Sequence, residues 1–294
     1  MGLKGIYADN SSASKVGILF LLIFVSVVLH TLLAVALVAL FAENGMELIQ
    51  NKDLSNQASV NYLKLMQLFS GVGLFITPTL FYAYLTNFDF KFAKLNRQNI
   101  ILVIAIMMLI TPFIGLLLEW NMMISFPEWL LQFDVNFEAL GTAFLQMDTI
   151  WDLFYTILVI AVIPAIGEEL LFRGYLQQKL GNWLRNPHTA ILITAFIFSA
   201  IHFHFQAMIP RFALGVLLGY LFYWSNSLWL PILAHFVNNA QIVIFSYYHK
   251  VDSGTYSVVS ETKVDLLAPL FSLASVALLL YIFYQNTAIK KGLI

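Results

Sequence analysis

Apolar runs of about 20 residues recur along this chain, and they constrain its fold more than any other feature. The run at 16–41 alone is long enough to cross a bilayer as a helix. Of the 294 residues, 60% are hydrophobic and only 11% are charged, whereas a soluble domain carries roughly 25% charged residues. The sequence therefore predicts an all-α, polytopic membrane protein.

The apolar runs predict about eight transmembrane helices. They are expected at about 16–41, 63–84, 100–118, 151–178, 188–205, 211–225, 228–248 and 265–285. No polar stretch is long enough for a second domain, so residues 1–294 are interpreted as one membrane domain. The segment between the third and fourth helices mixes aromatic and acidic residues, which is typical of an interfacial amphipathic segment. Gly215 and Gly219 on the short sixth helix would permit close helix packing, with incidental glycines as the alternative.

The distribution of basic residues predicts the orientation of the chain. With an inside N-terminus, ten of the 15 Lys and Arg residues lie on the inner side and five on the outer side. The excess of positive charge favours both termini in the cytoplasm. The first helix could instead be a cleaved signal peptide, but its apolar run is longer than the usual 7–15 residues. The compact chain without an ER-retrieval signal favours a bacterial cell membrane.

Charge and cysteine content exclude several classes of function. The formal net charge is −1, which argues against nucleic acid as a partner. The chain has no cysteine, so disulfides and thiolate metal sites are excluded. Any metal would be held by His and carboxylate side chains.

Two adjacent carboxylates interrupt the fourth predicted helix, where charge is costly. Glu168 and Glu169 follow a long apolar run that contains Pro164, and Arg173 comes four residues after Glu169. Charged residues inside membrane spans are few and mostly functional. The i, i+4 spacing predicts that Arg173 pairs with Glu169 and leaves Glu168 free to face a cavity as a general base. The alternative is that the helix has already left the membrane and the charges are solvated.

Two later helices carry further polar side chains. Phe198 and His202 are four residues apart in "FSAIH", and His235 and Asn239 are four apart in "HFVNN". Residues at this spacing share a helix face. Asn238 could share the face of His235 as well, and spacing alone does not choose between the two asparagines. We interpret His204 as an interfacial residue, since it points away from His202.

Together these groups make a hydrolytic set. Glu168 can take a proton from water that His202 orients, and His235 and Asn239 can donate hydrogen bonds to an oxyanion. No G-x-S-x-G nucleophile motif and no H-E-x-x-H zinc helix occurs in the sequence. Attack of water on an amide is therefore the predicted chemistry.

The three motifs resemble those of the CPBP family, the CAAX-protease and bacteriocin-processing intramembrane proteases. "EELLFR" is similar to its EExxxR motif, "FSAIH" to FxxxH, and "HFVNN" to HxxxN, which favours Asn239. The motif core covers about residues 150–248. The resemblance implies an α-helical fold with a conical intramembrane cavity that opens to the cytoplasm and lipid. It also implies peptide-bond hydrolysis, with Glu168 and His202 activating water and His235 and Asn239 forming the oxyanion hole.

The metal requirement stays open at this level. Glu168, His202 and His235 could hold zinc with one open position. We favour a metal-free glutamate mechanism that requires no cofactor, because His235 and Asn239 fit an oxyanion hole better than a ligand set.

Substrate and function have open alternatives as well. The expected partners are membrane lipids and a peptide or protein substrate, with membrane-anchored and prenylated substrates among the candidates. The first alternative function is a non-catalytic scaffold or bacteriocin immunity protein of the same fold. The second is a proton-coupled transporter, which the lack of internal repeats argues against.

Overall fold

The structure is a computed structural model that describes residues 3–50, 53–250 and 266–288. Four basic residues used in the orientation argument, Lys52, Lys263, Lys290 and Lys291, lie outside the described residues. The orientation of the termini therefore stays a prediction.

The described residues fold into helices joined by short connections, and this confirms the all-α class. In chain order they are α1 (Ser12–Phe41), α2 (Gly45–Gln50), α3 (Gln57–Thr86), α4 (Arg97–Leu109), α5 (Thr111–Met122), α6 (Glu128–Leu145), α7 (Ile150–Leu184), α8 (Pro187–Ala200), α9 (Met208–Ser225), α10 (Trp229–His249) and α11 (Leu267–Ala288). Within the described ranges the only β-pairing is an isolated bridge between Phe92 and Ser227.

The helices confirm a polytopic membrane protein, but they do not give the predicted count of eight spans. Six helices are long and apolar enough to cross a bilayer, and α4 with α5 makes a seventh if the pair is one span. The predicted third helix is broken, since α4 and α5 meet at an angle of 42°. Pro112 stands in the first turn of α5, where a proline starts a helix but cannot continue one. The predicted fifth helix ends early, at Ala200.

Side-chain caps set several of the helix starts. Asn56 accepts hydrogen bonds from the first turn of α3, and Asn186 does the same for α8. Thr149 and Asp152 form a reciprocal capping box at the start of α7. These caps satisfy N–H groups that have no partner inside the helix, and the helices begin directly after them, at Gln57, Pro187 and Ile150. The start predicted at 63 for the second helix was wrong, because the Asn56 cap lies before the apolar run.

Helix α7 carries the adjacent carboxylates and is irregular on both sides of them. Its turns at Ile157–Val162 and Leu170–Gln177 are π-helical, a form that is rare and often occurs at functional sites. Glu168 lies near the midpoint of α7, which spans Ile150–Leu184. At 1.5 Å per residue Glu168 is about 25 Å from either end of the helix, so it lies near the middle of α7.

Helices α8 and α9 pack closely against each other and against α7. A Cβ atom added at Gly215 would lie 3.0 Å from Ala195 Cβ, and one at Gly219 would lie 2.7 Å from Ile191 Cγ2. The structure therefore confirms the prediction of close packing at these two glycines, because no larger residue fits without moving α8. This packing brings the end of α8, and with it His202, to the middle of α7.

Helix α6 occupies the segment for which an interfacial amphipathic structure is predicted. Trp129, Phe133 and Phe137 are exposed on it, whereas Asp134 is buried. The burial of Asp134 comes from contact with the connection between α8 and α9. Helix α6 is thus a cover over that connection as well as an amphipathic helix.

Candidate active site

Glu168 is buried in the middle of α7 and faces the two histidines that the sequence singles out. Its Oε2 lies 3.9 Å from His202 Nε2 and 3.9 Å from His235 Nε2. Oε2 has no hydrogen-bond partner in the structure. The three side chains therefore converge on Oε2, and the gap between them has to widen before a water molecule can reach that oxygen.

Glu169 forms a separate network with the opposite character. Its Oε1 accepts hydrogen bonds from Arg173 Nη1 at 2.5 Å and His235 Nδ1 at 2.9 Å. Arg173 also donates to the Gly215 carbonyl at 3.0 Å. Both members of the Glu169–Arg173 pair are fully buried, which confirms the predicted pairing. Glu169 Oε2 and Arg173 Nε are buried without a hydrogen-bond partner, so the pair is only partly satisfied.

The hydrogen bonds of the two histidines fix their tautomers. His202 Nδ1 lies 2.7 Å from the Phe198 carbonyl, and His235 Nδ1 faces the Glu169 carboxylate. Both partners are acceptors, so each Nδ1 must carry the hydrogen. In the neutral rings each Nε2 therefore presents a lone pair toward Glu168. His235 becomes a donor at Nε2 only when it is protonated, and Glu169 then stabilises the added charge.

Phe198 packs at the junction of the two networks. The guanidinium of Arg173 lies 4.6 Å from the centre of its ring. The rings of His202 and His235 lie 5.1 and 5.9 Å away, both edge-on. This packing fixes the orientation of both imidazoles and keeps the Arg173 charge against an aromatic face.

Asn239 is not joined to Glu168 or to either histidine by any hydrogen bond in the part of the chain described. Its Nδ2 donates to the Ile160 carbonyl at 2.9 Å, and its Oδ1 accepts from Asn238 at 3.1 Å. Ile160 is four residues before Pro164, which has no N–H to donate to that carbonyl. Asn239 thus takes the place of a missing helical hydrogen bond. One of its two amide hydrogens remains for another acceptor.

Glu168, His202 and His235 are also the candidate ligands of a metal ion. Among the residues with described positions, no group of three His, Cys, Asp or Glu side chains is close enough to hold a metal ion. Glu168, His202 and His235 supply suitable donor atoms, but each 3.9 Å separation would have to shorten for ligands about 2.0 Å from one zinc ion. As they are arranged here, these three side chains do not fit a metal ion, and the metal requirement stays a prediction.

A second polar cluster, which the sequence did not reveal, adjoins the candidate active site. His204 Nε2 lies 3.8 Å from Asp134 and 3.7 Å from Glu138, and its ring stacks on Phe137. Arg211 Nη2 lies 3.3 Å from His204 Nδ1. Burial, followed by the charge of Arg211, lowers the pKa of His204 to about 4. Burial also raises the pKa of Asp134. His204 is therefore a neutral packing residue at physiological pH, held between α6 and α9.

The sequence also missed the residues that hold the connection bearing His202. Asn121 on α5 is completely buried and bonds to the backbone of residues 205 and 209. Its only sequence signal was an asparagine at the end of an apolar run. Two surface concavities, of about 210 and 160 Å³, lie away from these residues, against Phe113 and Asn99 respectively. The conical cavity stays a prediction.

Comparison with known proteins assigns the motif-bearing helices. Residues 150–241 match the family described as type II CAAX prenyl endopeptidase, Rce1-like. The match covers about a third of the chain, so it shows that residues 150–241, called the Rce1-like region below, are similar to this family. The Rce1-like region runs from the start of α7 into α10 and contains every candidate catalytic residue.

Three bacterial proteins are similar to part of this chain. The uncharacterized protein YpbD of Bacillus subtilis (strain 168) is 36% identical over 88 residues, which are 29% of this chain and 42% of YpbD. The membrane-embedded CAAX protease MroQ of Staphylococcus aureus (strain USA300) is 27% identical over 94 residues, 30% of this chain and 38% of MroQ. The putative membrane peptidase YdiL of B. subtilis (strain 168) is 30% identical over 92 residues, 30% of this chain and 36% of YdiL. The chain thus matches about two fifths of the length of these relatives. No solved structure gives a significant match.

Proposed function

We propose that this protein is an intramembrane endopeptidase that hydrolyses a peptide bond with water activated by Glu168. The observation that carries the proposal is the carboxylate oxygen of Glu168, which is buried, has no partner, and lies 3.9 Å from two imidazole lone pairs. A carboxylate left unsatisfied at the centre of a span is costly. A stability role does not account for it, whereas a general base does.

In the proposed reaction, a water molecule occupies the space between Glu168, His202 and His235. It donates one hydrogen to Glu168 Oε2 and the other to His202 Nε2. As the water oxygen attacks the carbonyl carbon, Glu168 accepts the proton and the carbonyl oxygen becomes an oxyanion. Glu168 then gives the proton to the leaving amine when the C–N bond breaks.

The proposed oxyanion donors are His235 and Asn239. His235 donates from Nε2 in its protonated form, and Glu169 balances the charge at Nδ1, 2.9 Å away. Asn239 offers the amide hydrogen that does not bond to the Ile160 carbonyl. Donors aimed at the developing charge in a dry site typically contribute a factor of about 10²–10³ each.

The proposed substrate is a membrane-anchored peptide or protein, and the family description points to prenylated CaaX tails as the first class to test. Both chain termini are proposed to lie in the cytoplasm of a bacterial cell. No cofactor is required for the proposed reaction, and a chelator tests that part separately.

The decisive experiment measures cleavage of quenched-fluorescent peptides, prenylated and plain, by the detergent-purified protein with and without a zinc chelator. Glu168→Gln is expected to remove all cleavage while the protein stays folded. Glu128→Gln is the matched control, because Glu128 is an exposed glutamate on α6 and should leave the rate unchanged.

Three outcomes would change the proposal. Cleavage by Glu168→Gln at the wild-type rate would rule out Glu168 as the base. Loss of activity on chelation, together with stoichiometric zinc in the active protein, would replace the metal-free mechanism. A folded wild type that cleaves neither peptide class would favour the non-catalytic scaffold.

A further inference from the structure

The connection between α8 and α9 carries His202 and is not held in place by regular secondary structure. Helix α8 ends at Ala200, and a single 3₁₀ turn at Phe205–Ala207 precedes α9. Phe203 has a φ of 50°, a conformation that is uncommon for a bulky residue and persists only where the surroundings impose it. Backbone hydrogen bonds from the His202 N–H to the Ser199 carbonyl at 3.4 Å and from the Phe203 N–H to the Ala200 carbonyl at 3.1 Å tie His202 to the end of α8, so contacts from outside the connection act on the residues after Phe203.

Asn121 supplies the most direct of these contacts. It lies in α5, is 0% exposed, and reaches the connection with both ends of its amide. Its Nδ2 donates to the Phe205 carbonyl at 2.8 Å, and its Oδ1 accepts from the Ile209 N–H at 2.7 Å. The Ile209 N–H belongs to the first turn of α9, where backbone donors have no partner within the helix.

The amide supplies a donor and an acceptor on separate atoms, which lets Asn121 make both bonds at once. An aspartate offers acceptors alone and would face the Phe205 carbonyl with a second acceptor, and an aliphatic residue offers neither group. At the helix ends that flank the connection, Ser199 Oγ on α8 donates to the Met208 carbonyl on α9 at 2.7 Å and closes the base of the same loop. Asp134 on α6 adds a longer contact, from the Gln206 N–H at 3.4 Å.

We propose that Asn121 is a positioning residue for the reaction: by bridging the Phe205 carbonyl and the Ile209 N–H, it fixes the loop that presents His202 to Glu168. This inference rests on the proposed hydrolytic function. It assigns a catalytic contribution to α5, which lies before the Rce1-like region at 150–241. The helices outside that region are then part of the active-site framework as well as membrane anchors.

The test compares Asn121→Asp with Asn99→Asp in the full-length protein. Asn99 is a second buried asparagine, on α4, with no contact to the His202 connection among the described hydrogen bonds. Two quantities are measured for each variant: kcat and KM on a cleavable peptide, and hydrogen exchange of the amides at 203–209. Asn121→Ala is the second variant if Asn121→Asp does not fold, because water can enter the space and satisfy both backbone groups.

We expect Asn121→Asp to lower kcat at least tenfold with KM within about twofold of wild type, because misplacement of a catalytic group by about 1 Å costs up to 10²-fold. Exchange at Ile209 should become at least tenfold faster. Asn99→Asp should change neither quantity.

Unchanged exchange at 203–209 would show that Asn121 does not hold the connection. Faster exchange with unchanged kcat would show that the position of the connection does not matter for catalysis. Either result overturns the inference while wild-type cleavage still supports the proposed function. If the wild type cleaves no peptide, the hydrolytic proposal and the catalytic role of Asn121 both fail, and faster exchange would leave Asn121 as a structural bridge only.

Discussion

Glu168 and Glu169 are neighbours in sequence, and their surroundings give the two carboxylates opposite energetic roles. Glu169 is fully buried but accepts hydrogen bonds from Arg173 and His235. Glu168 has no ion pair at hydrogen-bond distance, since its nearest charged or titratable partners lie 3.9 Å away, although one oxygen of each carboxylate lacks a hydrogen-bond partner. Because Glu169 is paired with a cation and Glu168 is not, replacing each glutamate with glutamine should change the stability of the protein in opposite directions.

We predict that Glu169→Gln lowers the free energy of unfolding by about 3–5 kcal/mol, because it leaves the buried Arg173 charge without a counterion. Glu168→Gln should unfold at the wild-type temperature or above it, since a neutral amide costs less to bury than an unpaired carboxylate. Thermal unfolding in detergent, followed by circular dichroism, measures both. Equal destabilisation by the two variants would contradict the division of roles between the carboxylates.

The bond between Asn239 and the Ile160 carbonyl leads to a second prediction at the residue scale. Asn239→Ala should destabilise the protein by about 1–3 kcal/mol, because it leaves the carbonyl buried without a donor. Pro164→Ala supplies an N–H four residues after Ile160 and should recover part of this loss when combined with Asn239→Ala. A double-mutant cycle on the unfolding temperature measures the coupling. Strict additivity would mean that Asn239 does not replace the bond that Pro164 lacks.

At the scale of elements, the contact of α8 with α9 determines where His202 meets α7. A Cβ atom at Gly215 would lie 3.0 Å from Ala195 Cβ and 3.1 Å from its Cα. The Cα is backbone and cannot rotate away, so the helices must separate. The Gly215 carbonyl also accepts the hydrogen bond from Arg173, and separation would lengthen it.

Gly215→Ala is therefore predicted to destabilise the protein by about 1–3 kcal/mol and to lower cleavage as well. Gly115→Ala in α5 is the control, because an added Cβ there meets nothing within 4 Å. That change should be neutral or stabilising by up to about 1 kcal/mol, since alanine favours a helix over glycine. Unfolding temperatures of both variants test the pair, and matching shifts in the same direction would contradict close packing at Gly215.

The helices differ in how far the sequence could predict them. Periodic spacing within single helices was sufficient for Arg173 with Glu169 and for Phe198 with His202, because residues four apart share a face. Breaks were missed: α4 and α5 read as one apolar run, although Pro112 bends them by 42°. The contact of Asn121 with residues 205 and 209 was missed as well, because spacing along the sequence does not show which distant segments meet. The motif residues of the site were thus predictable, while the groups that hold them depend on tertiary packing.

At the scale of the whole molecule, the helices before residue 150 and the Rce1-like region form one packed unit. Buried Lys64 on α3 donates to Thr156 on α7 at 2.9 Å, and Ser272 on α11 donates to the Leu109 carbonyl on α4. Polar bonds of this kind hold helices together where lipid offers no hydrophobic driving force. A single membrane domain is the interpretation that these contacts favour.

The orientation of this unit decides which compartment supplies the substrate, and the sequence predicts a cytoplasmic location for both termini. The absence of native cysteine makes single-cysteine labelling direct, because each variant reports one position. Glu43→Cys, in a connection, and Glu128→Cys, at the start of α6, stand at exposed positions on the predicted outer side, and Gln98→Cys stands at an exposed position on the predicted inner side. In intact cells, a membrane-impermeant maleimide should label the first two and not the third. All three should react after lysis, which controls for accessibility.

Labelling of Gln98→Cys alone would show that the topology is the reverse of the predicted one. Both termini would then lie outside, the cavity implied by the family resemblance would open to the other side, and secreted or surface-anchored peptides would become the substrates to test.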